Sequence, residues 1–436
     1  MIKPTLSTRI FSELGNKESL YALGFKDLGT IAGMTAGSYI AGKAVESKDR
    51  FMDEVGTSII WLGGVPLFKK IIDNTIYKLA NINPNIDVRL IENKDIFEKA
   101  KKHAPEALKE SFEKAAKNQK LFKGMFFAKF VASTALTLGA YFGLTMFRQK
   151  HTEKCVMKEL QAEAEQKKLQ KQSENKKSKD PNFGLNMNFV KQFVFDPVKN
   201  TQIIDGGIST QRLAESRNIQ DFVGYTIREG GFLVSMYLIS DMIQNHLEKQ
   251  AAKKQKPIDL DIKVLMDEKL QQAFADGTIK EKINAFSTKG TDAQIYEALF
   301  EKGDNLVVQM AKKAGIITTI KDSEQINTQA FIDIKKIKGH TKKGIISKKE
   351  ERVQGIKDQI ETLYKEFKNS GKNADDFFKE VIKMKKASIV KAIGTSMGFL
   401  GIVIPGIILI SRLTKENNKE FQVKKEMKEK MKTERV

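Results

Sequence analysis

Residues 392–411 read AIGTSMGFLGIVIPGIILIS, twenty consecutive positions without a charge, set between Lys391 and Arg412. Crossing the hydrocarbon core of a bilayer takes about 20 apolar helical residues, so this run predicts a transmembrane helix. Pro405 falls inside it, where a span tolerates a kink. A second run, Phe130 to Phe147 (FVASTALTLGAYFGLTMF), carries 18 uncharged residues between Lys129 and Arg148 and predicts another span.

Two shorter uncharged runs lie upstream. Leu28 to Gly42 and Val55 to Phe68 hold 15 and 14 residues, each too short to cross alone. They fit either a hairpin entering one leaflet or two helices of a core, with Trp61 suited to the membrane interface in the first case. Whether 28–68 and 223–240 enter the membrane stays open, as does orientation, because every span is flanked by lysine.

Composition sets the outer limits. The 436 residues include 75 Lys and Arg against 54 Asp and Glu, a net charge of +21. That balance favours anionic partners, and beside two spans an anionic lipid surface is the expected one. Nucleic acid is the weaker expectation, since the basic tracts lack interleaved aromatics and a recognisable reading helix. Cys155 is the single cysteine, which excludes an internal disulfide and a cysteine zinc site. The N-terminus lacks the apolar core of a cleaved signal peptide, so insertion is expected to use internal segments.

The chain repeats itself weakly. At a shift of 168 positions Asp53, Val55, Gly56, Ile59, Gly63, Ile71, Asp73 and Leu79 match Asp221, Val223, Gly224, Ile227, Gly231, Ile239, Asp241 and Leu247. Lys129, Leu138 and Gly139 likewise align with Lys391, Leu400 and Gly401. Order, motif and flanks agree, which points to duplication. From Asp73 to Lys129 is 56 positions, but from Asp241 to Lys391 it is 150, so the second half carries an insertion.

The fold class predicted is all-α: a membrane-anchored helical protein of two related halves, each ending in a transmembrane helix and a basic helical tail. Its parts are a Gly-rich helical hairpin with amphipathic helices (1–125), a span (126–148), a charged helix and linker (149–181) and the second motif copy (182–256). An inserted soluble helical domain (257–370), an amphipathic helix (371–391), the second span (392–411) and a basic tail (412–436) follow. Within these, Leu108, Phe112 and Ala115 form one apolar stripe, and Val353, Ile356, Ile360, Leu363 and Phe367 another. Thr291-x-x-Gln294 and Ser347-x-x-Glu350 read as capping boxes, and Gly303 and Gly371 as helix stops. Lys335 to Gly344 reads as a basic loop.

Three pairs of glycines four apart, Gly33 with Gly37, Gly139 with Gly143 and Gly394 with Gly398, lie in uncharged runs, where small residues let helix backbones approach. They are the expected helix-packing contacts, and the spans are expected to support a homo-oligomer. Gly63-Gly64 and Gly230-Gly231 read as turns between helices, with Arg228 and Glu229 a surface pair. Asp53 and Asp221 read as helix-flanking carboxylates. The four histidines are scattered without ligand spacing and read as surface residues, and Cys155 lacks a nearby histidine pattern. No nucleotide-binding loop, zinc-protease motif or nucleophile elbow is present. No catalytic residue, cofactor, metal or small-molecule substrate is therefore expected. The role expected is a non-enzymatic membrane scaffold or interaction protein. The alternatives are a transporter or channel component built from the repeat, and a soluble basic protein that binds nucleic acid.

Overall fold

The computed structural model describes residues 6–15, 19–84, 86, 88, 94–104, 106–166, 197–214, 219–254, 258–287, 290–314, 317–321, 328–332 and 353–412. Among them every element is helical except one antiparallel hairpin, in which Ile317–Lys321 (β1) pairs with Thr328–Ile332 (β2). The all-α class holds, and β1, with four β-branched residues in its ITTIK run, is where strand propensity departs from it. Two compact units form. One draws on Met1–Asn16, Asp73–Ala128 and Gln244–Val390, the other on Lys17–Ile72, Lys129–Ile243 and Lys391–Val436.

The first unit is built around an apolar core. Phe274 is its aromatic hub, with ring centroids 5.0 Å from Phe378, 5.3 Å from Tyr364 and 5.6 Å from Phe367. Val353, Ile356, Ile360 and Leu363 are buried on one face of the Val353–Ser370 helix, as their spacing requires. Leu108, Phe112 and Ala115 are buried likewise, with Phe112 5.3 Å from the ring of Phe97. Thr291 and Gln294 close a reciprocal capping box over the Asp292–Glu301 helix. Gly371, at φ +62°, takes the left-handed turn that stops the preceding helix. Ser347, Glu350 and the basic stretch from Lys335 to Gly344 lie outside the described residues.

The second unit is inverted. Its helices are α1 (Leu20–Ile59), α2 (Val65–Ile72), α3 (Gln119–Gln166), α4 (Pro197–Ala214), α5 (Ile219–Val234), α6 (Ser240–Lys253), α7 (Ala374–Gly398) and α8 (Ile404–Arg412), several of which extend beyond the unit. Although α1 is helical throughout, it does not run straight. Ser47 Oγ donates to Thr35 O at 3.0 Å and Ser58 to Asp27, 31 residues away, a separation of about 46 Å in a straight helix. The chain reverses between Thr35 and Ser47, leaving two antiparallel arms.

Among the described residues three helices are long and apolar enough to cross a membrane: Ser47–Ala80, Gln119–Lys158 and Ala374–Ile407. The first adds to the two spans the sequence predicts. A run of 14 uncharged residues is too short alone, but the helix continues on both sides of it for 34 residues in all. π-helical turns at Ile60–Gly64 and Asp73–Tyr77 interrupt this helix without ending it. Gly63-Gly64 is therefore no turn between helices, and Gly230-Gly231 lies inside α5. Trp61 is buried with Leu23, Met34, Met236, Leu400 and Ile404, not placed at an interface.

Glycine decides how closely these helices approach. Gly29, Gly33 and Gly37 follow one another at four-residue spacing along the first arm of α1, facing Met397, Gly401 and Pro405 at the same spacing. A Cβ on Gly33 would stand 2.1 Å from the carbonyl oxygen of Gly401, so the backbones are in contact there. Pro405 has no N–H for that same carbonyl, and a π-helical turn, Phe399–Val403, sits immediately before it. The close approach thus forms at Gly33 and Gly401. At Gly139, Gly143, Gly394 and Gly398 a Cβ would meet nothing within 4 Å among the described residues, so no close approach forms there. Gly56 meets Leu144 and Gly231 meets Ile404, whereas Gly63 is open. Asp73 and Asp241 are half-buried in their helices, and Asp221 and Gly224 lie on α5 with side-chain surroundings outside the described residues.

Two predictions follow from these packing arrangements. Gly33→Ala forces the α1 and α7–α8 backbones apart and costs about 1–3 kcal/mol or more in thermal unfolding of the detergent-solubilised protein. Gly398→Ala, into open space, is neutral or stabilises by up to about 1 kcal/mol. In the first unit, Lys102 and Lys99 hold the Glu297 carboxyl down at about 2. A folded value below the unfolded one stabilises above the unfolded value and is lost as pH falls toward the folded one. The difference in Tm between the native protein and Glu297→Gln is therefore full at pH 7, narrows below the ordinary carboxyl value of 4.5 and closes by about 2.

Candidate functional site

The second unit buries charge at its centre. Asp49, Arg50, Asp53 and Glu54 recur at i, i+1, i+4 and i+5, which gathers them on one face of the second arm of α1. Arg148 and Thr152, four apart on α3, meet that face. Ser209 of α4 and Arg228 with Glu229 of α5 close it. All the charged members are buried, and Asp53 is only 1% exposed.

Asp53 is the centre of the cluster. Its Oδ2 lies 3.5 Å from Arg50 Nη1, 3.7 Å from Arg148 Nη1 and 3.5 Å from Arg228 Nη2. Arg148 Nη1 also donates to Asp49 Oδ2 at 2.7 Å, and Thr152 Oγ1 donates to Asp49 Oδ1 at 2.8 Å. Arg228 Nη2 donates to Glu54 Oε1, and Arg228 Nε lies 3.6 Å from Glu229 Oε1. Ser209 Oγ donates to Glu229 Oε2 at 3.0 Å. Guanidinium groups suit this role because their forked donors reach several carboxylates at once.

This overturns two expectations. Arg228 and Glu229 are not a surface pair, and Asp53 does not merely flank a helix. In both cases the partner is remote in sequence: Glu54 and Arg228 are separated by 174 residues. The local signal was the grouping of Asp49, Arg50, Asp53 and Glu54 on one helical face, together with Arg148 placed at the end of an apolar run.

A second polar layer uses backbone carbonyls. The π-helical turn Ser235–Ile239 departs from the regular i to i−4 ladder, and its carbonyls take side-chain donors from other helices. Lys26 Nζ donates to Met236 O at 3.0 Å and Ser396 Oγ to Ser235 O at 2.5 Å. Ser58 donates to Asp27, and Tyr237 to Asp205. Arg228, Glu229, Glu54 and Thr30 also line a small cavity, whose other wall is Met34, Phe232, Leu400 and Ile404.

The remaining candidates contribute little chemistry. Among the described residues no group of three or more His, Cys, Asp and Glu is placed to hold a metal ion. His151 and His246 are exposed, and His340 lies outside the described residues. His103 is half-buried and stacks on Phe300 with ring centroids 4.4 Å apart, so it is not a free surface residue. Cys155 does have a histidine neighbour, His151 Nδ1 at 3.8 Å one helical turn away.

Removing one member of such a cluster leaves the others buried without their counter-charge. Arg228→Met is expected to cost about 3–5 kcal/mol of stability, read from thermal unfolding in detergent. Adding Glu54→Met to it restores part of the loss, because one stranded carboxylate is gone. Compared with protein-family models, with curated proteins and with solved structures, the chain matches none.

Proposed function

We propose that this chain is an integral, multi-pass membrane scaffold or interaction protein without enzymatic activity. One observation carries the reading, the inverted polarity of the second unit. Its charges are buried, while large apolar side chains such as Ile402 (74% exposed), Ile59 (65%) and Phe147 (62%) face outward. Only 17%, 28% and 39% of the apolar windows of the three long helices are buried. In water such a surface would drive aggregation, whereas in lipid it is the ordinary exterior. The first unit, with an apolar core and charged surface, is suited to water.

The duplication is part of the proposal, and the order of helices supports it. Each half presents a first helix (the first arm of α1; α4), a second carrying the repeated motif (the second arm of α1 through α2; α5 through α6) and a long third (α3; α7 through α8). Their contacts cross over. Gly56 and Gly207 of α4 both pack on α3, at Leu144 and Leu138, while Gly33 and Gly231 both pack on α7–α8. Each third helix thus holds the second helix of its own half and the first helix of the other.

The partners proposed are anionic lipid headgroups, attracted by a net charge of +21, and a second copy of the chain. The open faces at Gly139 with Gly143 and Gly394 with Gly398 suit close approach by another helix. A second reading, a transporter or channel component, draws on the charged cluster that joins α1, α3, α4 and α5, since intramembrane charge marks ion pathways.

The deciding experiment is membrane fractionation followed by an alkaline carbonate wash. An integral protein stays in the pellet. Release into the supernatant would sink the membrane reading and leave the soluble, nucleic-acid-binding alternative.

A further inference from the structure

One helix of the first unit breaks that unit's polarity. Leu6–Gly15 (LSTRIFSELG) buries Thr8 and Ser12, while Leu6 and Ile10 are 75% and 49% exposed. At 3.6 residues per turn Leu6, Ile10 and the half-buried Leu14 share one face, and Thr8, Ser12 and Gly15 lie about 180–240° round the helix from Leu6. The spacing is that of an amphipathic helix, but its apolar stripe points away from the protein. The large apolar side chains around Phe274, in the same unit, point inward.

The seat of this helix is well defined. A Cβ on Gly15 would stand 2.6 Å from Ile389 Cδ1, so the helix lies hard against α7. Lys386 Nζ, one turn earlier on α7, lies 5.6 Å from the centroid of the Phe11 ring and donates to Ser7 Oγ at 3.5 Å. Glu13 pairs with Lys263 at 2.7 Å. Ile389 comes three residues before Ala392, where the uncharged run of α7 begins, about 4.5 Å along the helix axis. In a spanning helix that level is the passage from headgroups to hydrocarbon.

Three features select lipid as the cover for the stripe. The first is its level on a helix that goes on into an uncharged run. The second is an outward apolar face of the kind presented by Ile59, Phe147 and Ile402. The third is flanking cations: Arg9 is exposed beside Leu6 and Ile10, and Lys386 borders Phe11. Such side chains lay their stems along apolar surface and extend their charges to phosphate groups.

We propose that the Leu6–Gly15 helix is an interfacial anchor, with its Leu6–Ile10 stripe sunk at the boundary between phospholipid headgroups and acyl chains. Through the Glu13–Lys263 pair it moors the first unit to that leaflet. The inference rests on the multi-pass reading of the chain, and the two fail separately.

The test is spin labelling of the full-length chain in vesicles of phosphatidylcholine and phosphatidylserine. On a Cys155→Ser background, labels go to Leu6→Cys and Ile10→Cys. Ile402→Cys supplies a reference within the spanning run, and Glu361→Cys an exposed reference on the first unit. The expected result at 6 and 10 is collision with oxygen and loss of collision with a water-soluble nickel chelate, at a depth of about 5–10 Å. The label at 402 lies deeper, and the one at 361 is open to nickel. Nickel access at 6 or 10 with 402 still in lipid overturns the anchor and leaves the multi-pass reading standing. Nickel access at 402 as well overturns both. Dipolar broadening at 6 and 10 that disappears on dilution with unlabelled protein puts a second copy on the stripe and overturns the lipid assignment.

Discussion

The second unit depends on pairing charge away from water. Desolvating a carboxylate or guanidinium costs several kcal/mol per ion, and only close, multiple pairing offsets it. Asp53 meets that condition with Arg50, Arg148 and Arg228 all within 3.7 Å of one oxygen. Because these partners come from α1, α3 and α5, with Ser209 of α4 on Glu229, satisfying the charges brings four helices together at one point. A displacement of any one would strand charge, which is the sense in which the cluster organises the unit.

Backbone contacts then set the remaining distances. Gly33 against Gly401 allows the first arm of α1 to touch the α7–α8 helix main chain to main chain. The π-helical turns do related work from the other direction. At Phe399–Val403 the turn sits immediately before Pro405, and at Ser235–Ile239 carbonyls are presented to Lys26 and Ser396.

The two units are built with opposite polarity. Around Phe274 the rings are inside and the lysines outside, while around Asp53 the charges are inside and Ile59, Phe147 and Ile402 outside. An average over the whole composition blends the two and describes neither. The inverted unit also explains how a lysine-rich protein carries, among its described residues, three helices with long apolar stretches.

Local pattern determined what depends on neighbours within a turn or two of helix. The uncharged runs, the stripes at Leu108–Phe112–Ala115 and Val353–Leu363, the capping box at Thr291 and the stop at Gly371 were all readable, since each is a matter of spacing along the chain. Glycine spacing named Gly33 and Gly37 but equally Gly139, Gly143, Gly394 and Gly398, because four-residue spacing says that a face is small and not what lies opposite it. Arg228 was visible as a charge beside Gly230, but its meaning was not. Whether a charged side chain is solvated or buried depends on Glu54, 174 residues away, and only the folded chain sets that distance. Sequence fixes which surfaces a helix offers, and tertiary structure decides which are covered, because pairing energy is a property of two groups in contact and sequence spacing carries only one of them.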